Sequence, residues 1–287
     1  MPLVRINSTV NALGLHASPA DPVVTLRQQA QSGTGPIILM VHGFKFQPGI
    51  VGACPHDHIL SLDPVRCWKA VSWPRGLGFG TERACEGLGI CFGWQAGGNL
   101  KDAYHNAARA GAVLARVVRL LRSAAPQRPI HGLGHSLGAR VLLQALPHLD
   151  PGDMGRLITL NAAEFRGTAY QALDHGAGPS TDLIAVTGRE NSVFDLIMEQ
   201  LLTPASPRDR AMGRGMGTSP KCLDLRLDSK EVQEHLSALG FPLAPHHRRV
   251  CHWSPYLRPG AFELYNALLR HPQSLPLARV ISSGPIS

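Results

Sequence analysis

PIHGLGHSLGARVLLQALP, residues 129–147, is the stretch of this chain with the clearest structural pattern. A short, mostly apolar run leads to Ser136, which has a glycine two residues before it and another two residues after it. An apolar stretch then continues to Pro147. The run is typical of a brief buried strand, and the stretch is typical of a helix that proline ends. Glycines between two regular elements let the backbone turn tightly. The sequence therefore predicts a strand, a sharp turn at Ser136 and a helix.

The pentapeptide at this turn has the form G-x-S-x-G, with Gly134 and Gly138 on either side of the serine. A serine on a strand-to-helix turn is aimed outward and can act as a nucleophile. The backbone N–H of Leu137 then stands at a helix start, where it can donate to a developing oxyanion. A chance pentapeptide is the alternative, but its place between an apolar strand and a helix argues against chance. We therefore predict that Ser136 is a catalytic nucleophile.

Strand-type and helix-type apolar runs alternate on both sides of this stretch. IILMV, residues 37–41, suits a buried parallel strand. Further strands are predicted at Lys69–Trp73, Ile90–Trp94, Leu157–Asn161 and Leu183–Thr187. A long amphipathic helix follows Asn99, which resembles a capping box together with Asp102, and AFELYNALL, residues 261–269, predicts a final helix. The alternation predicts an α/β fold with a mostly parallel central sheet flanked by helices.

GHSLGARV, residues 134–141, together with the preceding IILMVHGF, resembles the α/β-hydrolase superfamily in its esterase and lipase-like branches. The resemblance extends over about residues 36–270. It implies an α/β-hydrolase fold in a single domain over residues 1–287. It also implies insertions at about 45–90 and 198–250 that form a cap over the site.

The same resemblance assigns the oxyanion hole. In that superfamily an HG dipeptide after the first buried strand shapes the oxyanion loop, and here it maps to His42 and Gly43. His42 is then an architectural residue and not the catalytic base. The backbone N–H groups of Phe44 and Leu137 are implied as the two oxyanion donors.

A serine hydroxyl needs a histidine within reach to accept its proton. In the superfamily the order along the chain is serine, acid and then histidine, which selects His246, His247 or His252. We predict His252, because it precedes the last predicted helix, where the superfamily places its base. The alternative is that His252 is a packed or surface histidine and one of the adjacent pair serves.

The acid that orients the base is expected just past the strand Leu183–Thr187, in GRENSVFD. The superfamily's frequent G-x-x-D-x-V, laid on this segment, puts Asn191 where aspartate is expected. An amide orients a histidine but does not stabilise imidazolium as a carboxylate does. We predict Glu190 as the acid because it stands nearer the strand end, with Asp195 and Asn191 as alternatives.

The net charge of the chain indicates which kinds of partner it can bind. Twenty-eight Lys and Arg against twenty Asp and Glu give a formal net charge of +8, which favours anionic ligands or surfaces. Four arginines lie near one another on the long predicted helix without interleaved aromatic residues, so we expect no nucleic-acid partner. They are Arg109, Arg116, Arg119 and Arg122.

No stretch of about 18 uncharged apolar residues and no signal-peptide-like run occurs, so we expect no membrane span and a cytoplasmic location. Six cysteines are too few for a disulfide-dense scaffold of this size and are expected to stay reduced. They are Cys54, Cys67, Cys85, Cys91, Cys222 and Cys251.

Two groups of residues have the types that bind zinc. One comprises Cys54, His56, Asp57 and His58 with Cys67 nearby, and the other comprises His246, His247, Cys251 and His252. Neither has a paired CxxC or an HExxH spacing, which favours an incidental or structural interpretation. We therefore predict no metal and no organic cofactor.

The sequence predicts a serine hydrolase that cleaves a carboxylic ester-type bond of a small-molecule ester or acyl substrate through an acyl-enzyme. A thioesterase, peptidase or acyltransferase with the same residues is one alternative, because fold and triad do not fix the substrate. A non-catalytic binding protein of the same fold is the other, and Asn191 favours it. The oligomeric state stays open.

Overall fold

The structure of the protein, a computed structural model, describes residues 3–9, 12–83, 85–217, 221–245 and 248–281. The strands of its central sheet are β1 Leu3–Ser8, β2 Leu13–Leu15, β3 Ile37–Val41, β4 Leu88–Trp94, β5 Ile130–His135, β6 Arg156–Leu160, β7 Asp182–Thr187 and β8 Cys222–Arg226. Within the described residues these eight strands form one sheet in the order β2-β1-β4-β3-β5-β6-β7-β8. The pair β1–β2 is antiparallel and the other neighbouring pairs are parallel.

Helices connect the strands and cover both faces of the sheet. They are α1 Pro22–Gln31, α2 Trp73–Gly76, α3 Leu100–Ala124, α4 Leu137–Ala145, α5 Arg166–Asp174, α6 Ser192–Leu201, α7 Lys230–Ala238, α8 Ser254–Leu257, α9 Ala261–Arg270 and α10 Leu277–Val280. Short 3₁₀ turns lie at Pro55–Asp57, Leu146–His148, Gly178–Ser180, Arg189–Asn191 and Met212–Arg214. The α/β architecture predicted from the sequence is confirmed.

The strand β3 shows why the sheet is buried on both faces. Successive side chains of a strand point to opposite faces, and the five residues IILMV are all fully buried. Ile37, Leu39 and Val41 pack into a core with α3 and α4. Ile38 and Met40 pack into a second core with α9. A continuous apolar run without alternation is therefore the pattern that this central position requires.

One predicted strand is wrong. Residues 69–73 form no strand, and α2 begins at Trp73. The side chain of Ser72 accepts the backbone N–H of Arg75 at 3.2 Å and caps this helix, and Pro74 occupies its first turn, where a missing N–H costs nothing. Capping chemistry therefore outweighs the apolar composition here.

The two segments that the superfamily resemblance implies as a cap contain regular structure. The first, residues 45–90, places Trp73 and Phe79 in the second core. The second, residues 198–250, contains β8, which is an edge strand of the sheet, and α7. A cap function of the remaining parts stays a prediction. No helix among the described residues is long and apolar enough to cross a membrane.

Candidate active site

Ser136 occupies the turn between β5 and α4. Its backbone dihedrals are φ 55° and ψ −123°, in a region that residues other than glycine rarely adopt. The backbone N–H of Ser136 donates to the carbonyl of Leu160 at 3.0 Å and ties the turn to β6. A residue in this conformation persists only where its surroundings fix it. The turn therefore holds the serine side chain at the carboxyl end of the central strands.

Two glycines make this turn sterically possible. A Cβ atom at Gly134 would lie 2.7 Å from the carbonyl oxygen of Gly138, and a Cβ atom at Gly138 would overlap the carbonyl oxygen of Val41. Both obstacles are backbone atoms, which cannot swing aside as the end of a side chain can. The helix α4 therefore begins directly against β3, and the G-x-S-x-G spacing has a steric cause.

The loop after β3 lies against the same turn. A Cβ atom at Gly43 would lie 2.8 Å from Ser136 Cβ and 2.8 Å from the carbonyl oxygen of His135, so glycine is needed for this approach. Within the described residues the Phe44 N–H donates to no protein group. The Leu137 N–H stands in the first turn of α4, where amides have no acceptor within the helix. The two amides implied as oxyanion donors thus both lie beside the serine.

His42 fixes the direction of this loop. Its Nε2 accepts the backbone N–H of Trp94 at 3.0 Å, so its Nδ1 carries the proton and donates to the carbonyl of Gly43 at 2.9 Å. A trans peptide points its N–H away from its C=O, and this bond therefore turns the Phe44 N–H to the opposite side. Burial lowers the pKa of His42 to about 4. The imidazole stays neutral at physiological pH and keeps both hydrogen bonds.

His252 reaches the turn from the loop before α8. Its carbonyl oxygen accepts two hydrogen bonds of 2.9 Å, one from His135 Nε2 and one from Asn161 Nδ2. Its imidazole lies 4.5 Å from the His135 ring and stacks on the Phe194 ring at 4.7 Å. The residue directly before Ser136 therefore anchors the backbone of His252.

The Nδ1 atom of His252 is 2.6 Å from Asn191 Oδ1, which only accepts, so Nδ1 carries the proton and Nε2 keeps its lone pair. Asn191 in turn donates its Nδ2 to Asp195 Oδ1 at 2.9 Å. Neither the Ser136 hydroxyl nor His252 Nε2 makes a hydrogen bond within the described part of the chain. Catalytic hydrogen bonds are often long before substrate binds. The geometry gives a hydrogen-bonded series of three side chains, His252, Asn191 and Asp195, of which the last two are buried.

Glu190 lies on the same 3₁₀ turn as Asn191, but within the described residues its side chain makes no hydrogen bond to the His252 imidazole. Its buried carboxylate has Arg258 as its charged partner, with 4.0 Å between Oε1 and Nη2. Its backbone carbonyl accepts the N–H of Cys251 at 2.9 Å and so helps to position the loop that carries His252. The structure therefore brings the side chain of Asn191, and not that of Glu190, into hydrogen-bond contact with the His252 imidazole.

The pKa values of the buried groups follow from their surroundings. Burial, with the charges of His135 and Lys69 adding to it, holds the pKa of His252 well below its usual range. Burial also raises the pKa of Asp195 to about 7, although Arg214 and the hydrogen bond from Asn191 oppose the shift. The His252 imidazole is therefore neutral at pH 7, and Asp195 is partly ionised there.

A group of aromatic and basic side chains borders His252. The Trp253 ring lies 6.0 Å from the His252 ring and 5.5 Å from the Trp68 ring. Lys69 places its Nζ 3.5 Å from the centre of the Trp253 ring, and the Arg248 guanidinium lies 4.2 Å from the centre of the Trp68 ring. We call these four side chains, Trp68, Lys69, Arg248 and Trp253, the basic aromatic rim.

His135, Asn161 and Phe194 also contact His252, and none of the three is predicted from the sequence. Two of them carry a signal in hindsight: His135 is the first variable residue of G-x-S-x-G, and Asn161 directly follows β6, where polar residues at a carboxyl strand end face the site. His246 and His247, the alternative bases, lie outside the described residues.

No family model matches this sequence, and no curated protein matches it. Among solved structures, the chain is similar to a Trichoderma reesei cutinase in complex with a C11Y4 phosphonate inhibitor, with a TM-score of 0.29 and 14% identity over 54% of this chain and 63% of that chain. It is also similar to the phospholipase PlaB from Legionella pneumophila in complex with thio-NAD, with a TM-score of 0.32 and 13% identity over 56% of this chain and 40% of that chain. The matches thus span less than two thirds of either protein.

Proposed function

We propose that this chain is a serine hydrolase that cleaves carboxylic ester-type bonds through an acyl-enzyme intermediate. One observation carries the proposal. Ser136 has a positive φ on a strand-to-helix turn, the close packing around this turn requires glycine at positions 43, 134 and 138, and the His252 backbone is anchored to the turn. A surface serine has no need of such a conformation. The activity requires no metal or organic cofactor.

In the proposed reaction, Ser136 Oγ attacks the ester carbonyl while His252 Nε2 accepts the hydroxyl proton. The N–H groups of Phe44 and Leu137 donate to the developing oxyanion. The imidazolium then protonates the leaving alcohol, and the acyl group remains on Ser136. Water, deprotonated by His252, attacks the acyl-enzyme and releases the carboxylic acid, which restores both side chains.

We propose Asn191 with Asp195, instead of Glu190, as the residues that orient the base. The Asn191 amide accepts from His252 Nδ1 and donates to Asp195. An ionised Asp195 carboxylate therefore polarises the amide and makes its oxygen a stronger acceptor for His252. In a series of linked hydrogen bonds inside a protein, each hydrogen bond polarises the next one. The buried partner of Glu190 is Arg258, which gives it a structural role in the His252 loop.

Labelling with a fluorophosphonate probe, read by intact mass, tests the nucleophile. We expect one adduct on the wild-type chain, none on Ser136→Ala, and a rate at least about 10²-fold lower on His252→Ala. Ser192→Ala, a change of a nearby exposed serine, is the matched control and should label normally. A folded wild-type protein that does not label would make a non-catalytic binding protein of the same fold the better interpretation.

An exchange of the two side chains tests the proposed orienting pair. Asn191→Asp/Asp195→Asn keeps one amide and one carboxylate but puts the carboxylate on the imidazole, as in an ordinary triad. We expect the double variant to retain esterase activity, whereas Asn191→Asp alone places two carboxylates in contact and should be strongly impaired. Glu190→Gln should change stability more than it changes the pH dependence of turnover. A reversed outcome for Glu190 would restore it as the acid.

The bond cleaved is tested with substrates that share one acyl group. Esters, thioesters and amides of that group separate an esterase from a thioesterase or peptidase, and an added alcohol acceptor reveals acyl transfer. We expect the ester to have the highest kcat/KM, with loss of turnover in Ser136→Ala for every substrate.

A further inference from the structure

Three side chains with metal-binding atoms meet near the β1–β2 edge of the sheet. His16 directly follows β2, and Cys54 and Asp57 belong to the segment of the Pro55–Asp57 turn. In a 3₁₀ turn, side chains three residues apart are eclipsed, so the spacing C-x-x-D brings a thiol and a carboxylate to one side. One donor atom from each of the three residues lies within 4.8 Å of the others, and His16 Nε2 is 4.0 Å from Cys54 Sγ.

We propose that His16 Nε2, Cys54 Sγ and the Asp57 carboxylate bind a zinc ion. Nitrogen, sulfur and oxygen donors in one group suit zinc, whereas magnesium and calcium select oxygen alone. Binding releases the thiol proton of Cys54, so a thiolate and a carboxylate balance the charge of the ion. Three protein ligands leave the fourth tetrahedral position to water or a small ligand.

The surroundings of the three donors support this assignment. Within the described residues the Asp57 carboxylate makes no ion pair and no hydrogen bond. The ion would tie the β1–β2 hairpin to the loop after β3.

Cobalt(II) substitution tests the site without any use of activity. A cobalt–thiolate bond gives a near-ultraviolet charge-transfer band, which we expect at one equivalent of Co²⁺ in the wild-type chain and which Zn²⁺ should abolish. Cys54→Ala should lose the band, and Asp57→Asn, which alters an exposed side chain, should weaken affinity at least about tenfold. Cys67→Ala, which removes an exposed thiol elsewhere, is the matched control and should keep it. Absence of the band, or its persistence in Cys54→Ala, would overturn the site.

A separate observation concerns the helix α6, which buries Met198 in the core but exposes a second apolar face. Val193, Leu196, Ile197 and Leu201 share one face at spacings of three and four residues, and each side chain is 45–49% exposed. The opposite face buries Asp195, together with Glu199, which forms ion pairs with two arginines. A surface helix ordinarily turns its apolar face inward. The exposed apolar face of α6 therefore predicts an external binding partner.

Charge indicates what this partner is. Phe194 on α6 lies 6.0 Å from Trp253, so the apolar face continues into the basic aromatic rim. Arg189, just before α6, is paired with Asp228 at 3.4 Å, so the positive charge beside this face comes from Lys69 and Arg248 of the rim. A second copy of a chain with net charge +8 would bring like charges together, whereas an anionic lipid surface neutralises them.

We infer that α6 and the basic aromatic rim dock on an anionic lipid surface. The apolar face would enter the boundary between head groups and acyl chains, and the rim would contact the anionic head groups. Tryptophan and tyrosine favour this boundary because they are apolar with one polar end. Docking itself does not depend on the proposed esterase activity, although it would present lipid esters to Ser136.

Co-sedimentation with vesicles tests the surface, with Ser136→Ala used beside the wild type so that binding and turnover are separated. We expect both proteins to bind vesicles of phosphatidylcholine mixed with phosphatidylglycerol, to bind phosphatidylcholine alone weakly, and to be released by salt. Leu196→Ser/Ile197→Ser should weaken binding about tenfold or more. The matched control is Val23→Ser/Val24→Ser, which alters exposed valines of α1.

Three results would overturn the lipid proposal: no binding by the wild type, an equal loss in the α1 control, or equal binding to both kinds of vesicle. Sedimentation velocity supplies a further outcome. A concentration-dependent dimer that Leu196→Ser/Ile197→Ser abolishes would assign the face to a second copy of the chain instead.

Discussion

The Asn191 side chain brings an amide, and not a carboxylate, to the His252 imidazole, which we propose as the base. An amide selects the tautomer and the ring orientation of His252 as well as a carboxylate does, but it carries no charge to stabilise imidazolium. Asp195 stands one hydrogen bond further away and supplies that charge only when it is ionised. Since the pKa of Asp195 lies at about 7, the pH of the solution determines how much negative charge this carboxylate carries next to the Asn191 amide.

This arrangement predicts a pH dependence at the residue scale. Asp195 loses its proton as the pH rises through about 7, so stabilisation of the His252 imidazolium increases over that interval. We expect kcat/KM for a neutral ester to rise through about pH 7 in the wild type. In Asp195→Asn this rise should be absent, with kcat/KM about tenfold lower at about pH 8. An unchanged profile in the variant would remove Asp195 from the proposed relay.

The same substitution predicts an opposite effect on stability. The pKa of Asp195 is raised in the folded chain from its ordinary value of 3.8, so the unfolded chain ionises first and stability falls as pH rises between the two values. We expect Asp195→Asn to increase the free energy of unfolding at about pH 8 by about 2–4 kcal/mol. Urea unfolding at about pH 8 and at about pH 4 measures this, and the gain should vanish at the lower pH. A variant that is both slower and more stable is the signature of a carboxyl kept for function.

Backbone strain at Ser136 gives a second prediction at this scale. A positive φ costs a non-glycine residue about 1–3 kcal/mol, and glycine relieves it at the expense of greater freedom in the unfolded chain. We expect Ser136→Gly to be more stable than Ser136→Ala by about 1 kcal/mol, with neither variant hydrolysing esters. Thermal unfolding of the two inactive proteins makes the comparison. Equal stability would mean that the turn is not strained.

At the scale of elements, the start of α4 against β3 fixes where the serine stands. A Cβ atom at Gly138 would overlap the carbonyl oxygens of Val41 and His42, so Gly138→Ala has to move α4 or the loop after β3. We expect a loss of about 1–3 kcal/mol in stability together with a large loss in kcat. Gly14→Ala, where an added Cβ meets no atom, is the control and should be close to neutral. Normal turnover in Gly138→Ala would show that this contact does not set the site.

Elements with strong local signals were predictable from the sequence, and side-chain partners across space were not. The strand and helix around Ser136 are confirmed, and so is the Asn99 cap, where Asn99 Oδ1 accepts the N–H of Asp102 at 2.9 Å. The strand expected at residues 69–73 is wrong, because its apolar residues serve α2 and the core instead. Glu190 and Asn191 are neighbours in sequence, and only the 3₁₀ turn decides which of them faces His252. Such a choice depends on side-chain direction, which residue types and spacing do not encode.

At the scale of the whole molecule, histidines buried in the neutral state link folding to pH. Burial lowers the pKa values of His42, His131 and His135 to about 4 and that of His56 to about 2. These groups bind protons more readily in the unfolded chain, whose histidines have pKa values near 6.5. Their contribution to stability is therefore complete above pH 6.5 and is lost as the pH falls towards 4.

We expect the free energy of unfolding to decrease from about pH 7 to about pH 5, by about 1.4 kcal/mol per pH unit for each such histidine below its unfolded pKa. The raised pKa of Asp195 opposes this loss and offsets part of it. His131 offers a single-residue test, since its Nδ1 only accepts the N–H of Arg156, at 3.0 Å, and an amide can accept the same bond. His131→Gln should make the free energy of unfolding depend less steeply on pH, by the contribution of one histidine, about 1.4 kcal/mol per pH unit. Urea unfolding at several pH values measures this difference. If the variant and the wild type lose stability equally on acidification, His131 is not held neutral in the folded protein and acid sensitivity has another source.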